Sequence, residues 1–237
     1  MTSRDLPPVC ILAGGLGTRL GVHAAHLPKA LVEVAGKPFL FHQLGLLRRH
    51  GAHRVVLCVG HLGHQIEEAV ATVESGLDLE VVHDAPGEPG TARAVRGALP
   101  LLGDRFLVLY GDTYLRIDYA AVAEAHRRSG RLALMTVLRN EDRWDRSNVL
   151  FANGRVLRYN RRHPDAEMRW IDYGLAALTP SALALAPVVP DLVDVYGELA
   201  RADELAGFEA HDRFYEIGTP DALVATDAFL RDEFNSP

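Results

Sequence analysis

Apolar and polar positions alternate along the first half of the chain in two recurring patterns. Short runs that are apolar throughout predict buried strands, and the stretches between them carry apolar residues three and four positions apart, which predicts amphipathic helices. The predicted strands span residues 9–13, 54–59, 79–82, 106–110 and 132–138. The predicted helices span residues 38–50, 64–73, 91–99 and 117–129. Strands and helices that alternate at this spacing indicate βαβ units.

The second half of the chain is less regular and predicts an addition to that sheet. Short strands are predicted at 148–151, 155–159 and 173–178, with a turn at Asn153-Gly154 and a closing helix at 222–234. We therefore predict an α/β fold with a doubly wound, Rossmann-like, mostly parallel but mixed sheet, helices on both faces and a small antiparallel elaboration. No internal repeat or linker interrupts the pattern, so residues 1–237 are predicted to form one domain.

Three loops of the predicted sheet are the candidate binding region. In open sheets of this kind, ligands bind outside the carboxyl ends of the strands. The corresponding loops lie after Ala13, around Gly90 and after Tyr110.

The first of these loops is rich in glycine. Residues 12–20 read Leu-Ala-Gly-Gly-Leu-Gly-Thr-Arg-Leu, and clustered glycines let backbone N–H groups approach phosphate oxygens closely. The loop is not a dinucleotide fingerprint, because that motif needs glycine at Leu20 and a continuous helix across Pro28. It is not a P-loop either, since Gly-Lys-Ser/Thr is absent. Its candidate nucleotide-binding residues are Leu12, Ala13, Gly14, Gly15, Gly17 and Thr18.

A proline-lysine pair follows the glycine loop at a fixed distance. Lys29 comes ten residues after Arg19, with Pro28 before it and the apolar run 30–32 after it. The loop and this pair together resemble the signature of the sugar-1-phosphate nucleotidyltransferases, whose fold is GT-A-like. The Arg-Phe-Tyr-Glu-Ile-Gly-Thr-Pro segment at 213–220 is similar to the heptose 1-phosphate guanylyltransferase branch of that family.

The resemblance implies how phosphates and a metal ion are held. It implies that Arg19 holds the leaving pyrophosphate and that Lys29 holds the phosphate undergoing attack. Asp112, after strand 106–110, corresponds to the aspartate that binds Mg²⁺, a hard cation that prefers carboxylate oxygens. Glu216 stands where the family usually has a second metal-binding aspartate. Its side chain is one methylene longer, which leaves open whether it contacts the ion directly or through water.

A second loop resembles the part of the family that borders the nucleotide. It reads Gly-Glu-Pro-Gly-Thr-Ala-Arg-Ala from Gly87 and opens a predicted helix. Arg93 stands where glycine is common, and it is either an extra phosphate contact or a surface residue of that helix. The remaining candidate nucleotide-binding residues are Glu88, which is implied to read the base edge, and Gly90, Thr91 and Gly111.

Two further segments resemble the sugar-phosphate site of the family. The basic turn Arg161-Arg162 takes the place of a lysine that grips the sugar phosphate, and the role falls to Arg162 or else to Arg161. Asp172 and Gly174 lie in a stretch that usually reads Asn-Ala-Gly, where Asp172 is implied to accept hydrogen bonds from sugar hydroxyls. The exchange of Asn for Asp172 and of Ala for Tyr173 leaves the preferred sugar open.

Composition narrows the expected partners. The net charge of −6 argues against a nucleic-acid partner. The two cysteines, Cys10 and Cys58, lie in predicted strands and are expected to be buried reduced thiols. No apolar stretch is long enough to cross a bilayer, so we expect a soluble, cytoplasmic protein with no membrane partner, as a monomer or small homo-oligomer.

The resemblance predicts Mg²⁺-dependent transfer of a nucleoside monophosphate from a nucleoside triphosphate to a sugar 1-phosphate, with release of pyrophosphate. GTP and a heptose or related hexose 1-phosphate are the favoured substrates. UTP, dTTP, ATP or CTP with another sugar or cyclitol 1-phosphate is the alternative within the class. A non-catalytic nucleotide-sugar sensor is the alternative from another class, and the failed fingerprint disfavours a dinucleotide-dependent oxidoreductase.

Overall fold

A large central sheet and two short ribbons contain the strands of the protein. The computed structural model describes residues 6–15, 26–85 and 90–235. The strands in these residues are β1 (Val9–Leu12), β2 (Glu33–Val34), β3 (Lys37–Pro38), β4 (Arg54–Val59), β5 (Asp78–His83), β6 (Phe106–Tyr110), β7 (Thr113–Tyr114), β8 (Ala133–Arg139), β9 (Val149–Ala152), β10 (Arg155–Tyr159), β11 (Trp170–Leu178), β12 (Leu205–Ala210) and β13 (Tyr215–Glu216). The helices are α1 (Phe39–Arg49), α2 (Gly63–Ala71), α3 (Thr91–Leu102), α4 (Tyr119–Ser129), α5 (Pro180–Ala184), α6 (Leu192–Arg201) and α7 (Pro220–Asn235), and a 3-10 turn covers Lys29–Leu31. None of these helices is long and apolar enough to span a membrane.

Nine strands of the described residues form the central sheet, in the order β5-β4-β1-β6-β11-β8-β12-β10-β9. Strands β5, β4, β1 and β6 pair in parallel and form the predicted doubly wound half. Strand β11 enters antiparallel between β6 and β8, and β12 pairs in parallel with β8. Strands β9 and β10 form the predicted antiparallel hairpin at one edge. The predicted α/β fold with a mixed sheet, most of whose strands point the same way, is confirmed.

Helices cover both faces of this sheet, because successive residues of a strand point to opposite sides. In β1, Val9 and Ile11 pack in one apolar layer with residues of α1, α2 and α4. Cys10 packs in the other layer with residues of α3 and α6. Cys10 and Cys58 are buried free thiols, as expected, with their Sγ atoms 3.4 Å apart.

Several predicted boundaries are wrong, and three elements of the second half are missed. The strand predicted at 173–178 begins at Trp170, and the helix predicted from 117 begins at Tyr119. The later start of that helix follows from Asp118, whose carboxylate accepts a hydrogen bond from the N–H of Ala121 at 2.9 Å and caps the helix. Helices α5 and α6 are not predicted, because prolines at 187 and 190 and Gly197 interrupt the apolar periodicity, and β12 is not predicted, because Gly207 and Glu209 interrupt its apolar run.

Candidate active site

The carboxyl ends of β1, β4, β5 and β6 open into a cleft of about 490 Å³. All three loops selected from the sequence contribute to its walls. The predicted site residues that line it are Leu12, Ala13, Gly14, Gly15, Lys29, Gly90, Thr91, Gly111 and Asp112. The other candidates in these loops, Gly17, Thr18, Arg19 and Glu88, lie outside the described residues, so their roles stay predictions.

Gly111 brings the end of β6 against the end of β1. Its backbone N–H donates to the carbonyl oxygen of Leu12 at 3.0 Å. A Cβ atom at this position would lie 2.6 Å from that same oxygen, so no larger residue fits without moving the backbone. The close approach places Asp112 directly beside the loop that begins at Ala13.

Lys29 meets Asp112 inside the cleft. It opens the 3-10 turn after Pro28, whose carbonyl oxygen accepts a hydrogen bond from the N–H of Leu31 at 2.8 Å. The Nζ atom of Lys29 lies 2.6 Å from Oδ2 of Asp112. Lys29 is 9% exposed, so its charge is largely removed from water and is paired with this carboxylate.

Glu216 is held next to Asp112 by backbone pairing. Strand β13 pairs antiparallel with β7, with Glu216 opposite Thr113, and the N–H of Ile217 donates to the carbonyl oxygen of Asp112 at 3.0 Å. The Glu216 carboxylate folds over Gly218, which lines the cleft. The two carboxylates that the resemblance implies as metal ligands therefore come from neighbouring backbone segments that are far apart in sequence.

This donor set fits Mg²⁺ bound together with a phosphate. Mg²⁺ is held by one or two carboxylates, with phosphate and water oxygens completing its shell. Within the described residues no group of three or more His, Cys, Asp or Glu side chains converges on one point, so an all-protein cage is not formed there. Asp112 lines the cleft and Glu216 lies on the adjacent backbone segment without being one of the cleft's lining residues, so two carboxylates are available for such an ion.

An aromatic and arginine stack supports the segment that carries Glu216. The guanidinium of Arg213 lies 4.2 Å from the ring centre of Trp144 and 5.0 Å from that of Tyr215. Tyr215 in turn stacks on Phe229 of α7, with ring centres 3.7 Å apart. The hydroxyl of Thr226, also on α7, donates to the carbonyl oxygen of Glu216 at 2.6 Å. These contacts fix β13 against α7 and so fix the position of Glu216.

Asp172 lies in a polar cluster beside the cleft. Its Oδ1 accepts a hydrogen bond from the N–H of Gly174 at 3.0 Å, and its Oδ2 accepts one from the hydroxyl of Tyr159 at 3.3 Å. Burial raises the pKa of Asp172, although the Gly174 N–H, Arg161 and the Tyr159 hydroxyl act in the opposite direction. A carboxylate kept in such surroundings costs stability, and this is typical of a side chain retained for function.

Because the pKa of Asp172 is raised, the effect of this carboxyl group on the free energy of unfolding depends on pH. The folded chain binds this proton more readily than the unfolded chain, so the stability that the group contributes falls as pH rises through its raised folded pKa. We expect Asp172→Asn to be more stable than wild type at pH 7 and to lose that advantage as pH falls towards the ordinary carboxyl value of 3.8. Urea unfolding at several pH values measures the difference.

Asp104→Asn is the matched control, because Asp104 is an exposed carboxylate far from this cluster in sequence and its replacement should leave the difference flat with pH. A stability difference between Asp172→Asn and wild type that does not change with pH would contradict the burial argument.

The two adjacent arginines predicted for the sugar phosphate have different surroundings. Arg162 is exposed and forms an ion pair with Asp194, and its Nη2 lies 3.9 Å from Oδ2 of Asp191. Arg161 also reaches solvent, yet it lies among protein groups that act on its charge. Burial opposes that charge, but Tyr159, Tyr110, Asp172 and Asp112 together raise the pKa of Arg161. The groups that raise the pKa of Arg161 include the metal candidate Asp112, whereas Arg162 pairs with Asp194 and lies near Asp191, which lines the cleft.

Thr91 links the nucleotide side of the cleft to α6. Its backbone N–H donates to Oδ1 of Asp191 at 3.2 Å, and its hydroxyl accepts a hydrogen bond from the N–H of Leu192 at 2.8 Å. The carbonyl oxygen of Pro190 accepts from the N–H groups of Ala92 and Arg93 at 2.8 and 3.1 Å. The first N–H groups of α3 are therefore used within the protein, and Thr91 faces the cleft as a wall residue. The Arg93 side chain is exposed on α3.

Sequence reasoning missed Asp84, which lines the cleft at the carboxyl end of β5. Its carboxylate lies against Gly14 and Gly60, at a distance that would bring Oδ2 to 2.7 Å from a Cβ at Gly60. Burial raises the pKa of Asp84, and His83 lowers it in part. The sequence contained a signal for Asp84, because β5 was predicted and ligands bind at the carboxyl ends of the strands, where Asp84 stands. Asp191 and Tyr110 also line the cleft and were not selected.

Comparison with known proteins gives one family match and many relatives. The model of the MobA-like NTP transferase domain matches residues 9–195. The mannose-1-phosphate guanylyltransferase catalytic subunit beta of Drosophila pseudoobscura pseudoobscura is 29% identical over 217 residues, which is 89% of this chain and 58% of that protein. The chain thus spans about three fifths of the length of the curated relatives it matches.

Solved structures share the fold. The crystal structure of HddC from Yersinia pseudotuberculosis complexed with GMP-PN superimposes with a TM-score of 0.78 at 22% identity, over 95% of this chain and all of that one. The inositol-1-phosphate CTP transferase from T. maritima superimposes with a TM-score of 0.79 at 18% identity, over 99% of each chain. At these identities the likeness is one of fold, and it extends over nearly the whole chain.

Proposed function

Because the chain belongs to the family of the MobA-like NTP transferase domain, we propose that it transfers a nucleoside monophosphate from a nucleoside triphosphate to a sugar 1-phosphate. The observation that carries the proposal is the pairing of Lys29 with Asp112 in the cleft, with Glu216 on the adjacent backbone. The names of the curated relatives support the same class of reaction. We propose that residues 1–237 carry out this reaction as one domain.

The reaction is an in-line displacement at the α-phosphorus. A phosphate oxygen of the sugar 1-phosphate forms a bond to the α-phosphorus, and the bond from that phosphorus to the oxygen bridging to the β-phosphate breaks. Pyrophosphate leaves with that electron pair. The nucleophile is already an anion at neutral pH, so the protein needs to position and neutralise charge rather than remove a proton. An NDP-sugar and pyrophosphate are the products.

We propose that charged side chains of this chain position the phosphates and neutralise their charge, each at a different phosphate or at the metal ion. Lys29 neutralises the α-phosphate as negative charge shifts towards the leaving group. Asp112 and Glu216 are the residues that would hold Mg²⁺, which supplies positive charge to the phosphate oxygens when it is bound. Gly14 and Gly15 line the cleft, and we propose their backbone N–H groups as donors to phosphate oxygens. Arg19 is the predicted partner of the pyrophosphate.

On the sugar side we propose Arg161 as the phosphate ligand. Burial lowers the pKa of Arg161, but the charges of nearby groups that include Asp172 and Asp112 raise it, and this supports a role beside a metal candidate and the sugar candidate. Arg162 already has Asp194 as its ion-pair partner. Asp172 and Gly174 then border the sugar hydroxyls.

We propose GTP as the nucleotide and a hexose or heptose 1-phosphate as its partner. Asp84 supports this choice chemically, because a carboxylate accepts hydrogen bonds from the N1–H and the 2-amino group of guanine at once. Uracil and thymine offer one N–H flanked by two carbonyl oxygens, which a carboxylate repels. The curated relatives named as guanylyltransferases and the structure solved with GMP-PN agree with this choice.

Asp84→Asn should weaken the preference for GTP. A bidentate contact to a base is worth about 1–3 kcal/mol, so kcat/KM for GTP is expected to fall by roughly 10- to 100-fold while values for the other nucleotides change little. Steady-state rates with each nucleotide measure the effect. Glu80→Gln is the control, because Glu80 is a half-exposed carboxylate on β5, the strand that ends just before Asp84. An equal loss with every nucleotide would show that Asp84 does not read the base.

The test of the reaction is pyrophosphate release. Purified protein with Mg²⁺ is offered ATP, GTP, CTP, UTP and dTTP against a panel of hexose and heptose 1-phosphates. Release that requires both substrates and the metal ion supports the proposal and names the base and the sugar together. Nucleotide binding without turnover across the panel would favour a nucleotide-sugar sensor instead.

A further inference from the structure

Lys29 is one of only two lysines in a chain that otherwise uses arginine. Of its 25 Lys and Arg residues, all but Lys29 and Lys37 are arginines. Lys37 lies in β3, with its Nζ 4.9 Å from the ring centre of Phe234, and it does not line the cleft. A compact ammonium on a flexible stem is thus found at the centre of the site, where a planar guanidinium would be harder to move.

The contact with Lys29 engages the carboxylate that the metal ion needs. Oδ2 of Asp112 accepts from Nζ at 2.6 Å, and Oδ1 accepts from the hydroxyl of Thr113 at 3.1 Å. The Asp112 side chain is 29% exposed, so the approach to it is narrow. A divalent cation that arrives alone must displace the ammonium or share one carboxylate with it against charge repulsion.

We propose that Lys29 is a resident counter-ion that competes with the divalent metal ion for Asp112 until a triphosphate draws the ammonium away. The inference rests on the proposed function and adds an order of events to it. Phosphate oxygens in the cleft offer the ammonium more negative charge than one carboxylate does. The flexible four-carbon stem lets Nζ change partners without a change in the backbone. The metal ion therefore enters with the nucleotide and binds weakly without it.

The inference predicts opposite effects of one substitution on metal binding and on turnover. Lys29→Met keeps the length of the stem and removes the charge. We expect its affinity for Mn²⁺ in the absence of nucleotide to rise by at least about tenfold, because one competing unit charge is gone from the ligand. Its rate of pyrophosphate release should fall at the same time, since the α-phosphate loses its cation. Electron paramagnetic resonance of free Mn²⁺, which takes the same oxygen ligands as Mg²⁺, measures the affinity.

Three further variants make the measurement decisive. Lys37→Met is the matched control and should bind Mn²⁺ as wild type does. Lys29→Gln provides a second neutral side chain in case methionine impairs folding, and circular dichroism melting checks both. The double variant Lys29→Met with Asp112→Asn should lose the gain, because the carboxylate in question is then absent. Equal Mn²⁺ affinity in wild type and in both neutral variants, or a gain that survives Asp112→Asn, would overturn the inference.

Failure of this inference can be told apart from failure of the proposed function. A wild-type protein that releases pyrophosphate in a Mg²⁺-dependent way, with no gain in Mn²⁺ affinity in either Lys29 variant, overturns the counter-ion role alone. A protein that transfers no nucleotide to any sugar phosphate overturns the proposed function. The Mn²⁺ titration, which needs no substrate, still decides in that case whether Lys29 competes for Asp112.

Discussion

Asp112→Asn is expected to lower kcat by about 10³-fold, which corresponds to about 4 kcal/mol of lost transition-state stabilisation. The amide keeps the shape of the side chain and still accepts a hydrogen bond from Lys29, but it removes the negative charge that would hold the metal ion. The free energy of unfolding should fall by about 1–3 kcal/mol, less than the lost transition-state stabilisation, because the amide still accepts the Lys29 hydrogen bond although the buried ammonium loses its counter-charge. Pyrophosphate release at saturating substrates and a thermal melt measure the two effects.

Asp78→Asn is the control for this prediction, since Asp78 is an exposed carboxylate at the opposite end of β5 that pairs with Arg54. It should turn over at about the wild-type rate. If Asp112→Asn kept near-normal activity, Asp112 would not be a metal ligand. If it lost activity and melted at a much lower temperature as well, the residue would act mainly through the fold.

The second large loss of activity is expected on replacing Arg161, and not on replacing its neighbour Arg162. Arg161→Met is expected to lower kcat/KM for the sugar 1-phosphate by about 10²-fold, because a charge-assisted hydrogen bond to phosphate is worth roughly 1.5–3 kcal/mol. Arg162→Met should change it by less than about threefold, since an exposed ion pair contributes little. Steady-state kinetics with the sugar phosphate varied at saturating nucleotide give both values.

The two variants control for each other, because they remove the same charge from adjacent positions. The KM for the nucleotide should be nearly unchanged in both. A larger loss in Arg162→Met than in Arg161→Met would mean that Arg162 leaves Asp194 when the substrate binds, and it would restore the assignment made first from the sequence.

Much of the first half of the fold follows from the sequence because its signals are local. Apolar runs such as 54–59 and 106–110 are complete strands, and the structure reproduces both boundaries. The glycine loop and Asp112 were found for the same reason, since both follow a strand that is easy to recognise. The cleft then forms where the carboxyl ends of parallel strands meet.

The remaining features depend on partners distant in sequence. Local pattern did not distinguish Arg161 from Arg162, because the difference arises from Asp112 and Asp172 on one side and Asp194 on the other. Asp84 was not predicted because it belongs to no motif of its own, and its place in the site depends on Gly14 and Gly60 from two other loops. Glu216 lies next to Asp112 because β13 pairs with β7 over two residues, and the local sequence pattern does not predict that pairing.

The position of β11 has a consequence for how the chain is made. This strand covers Trp170–Leu178, yet it lies between β6 and β8, which are synthesised long before it. Until Leu178 has left the ribosome, both of those strands present open edges, and late pairing between distant segments is slow. Glu216 emerges later still. A nascent chain therefore carries its glycine loop and Asp112 without the strand and the second carboxylate that complete their surroundings until residues 170–216 have been made.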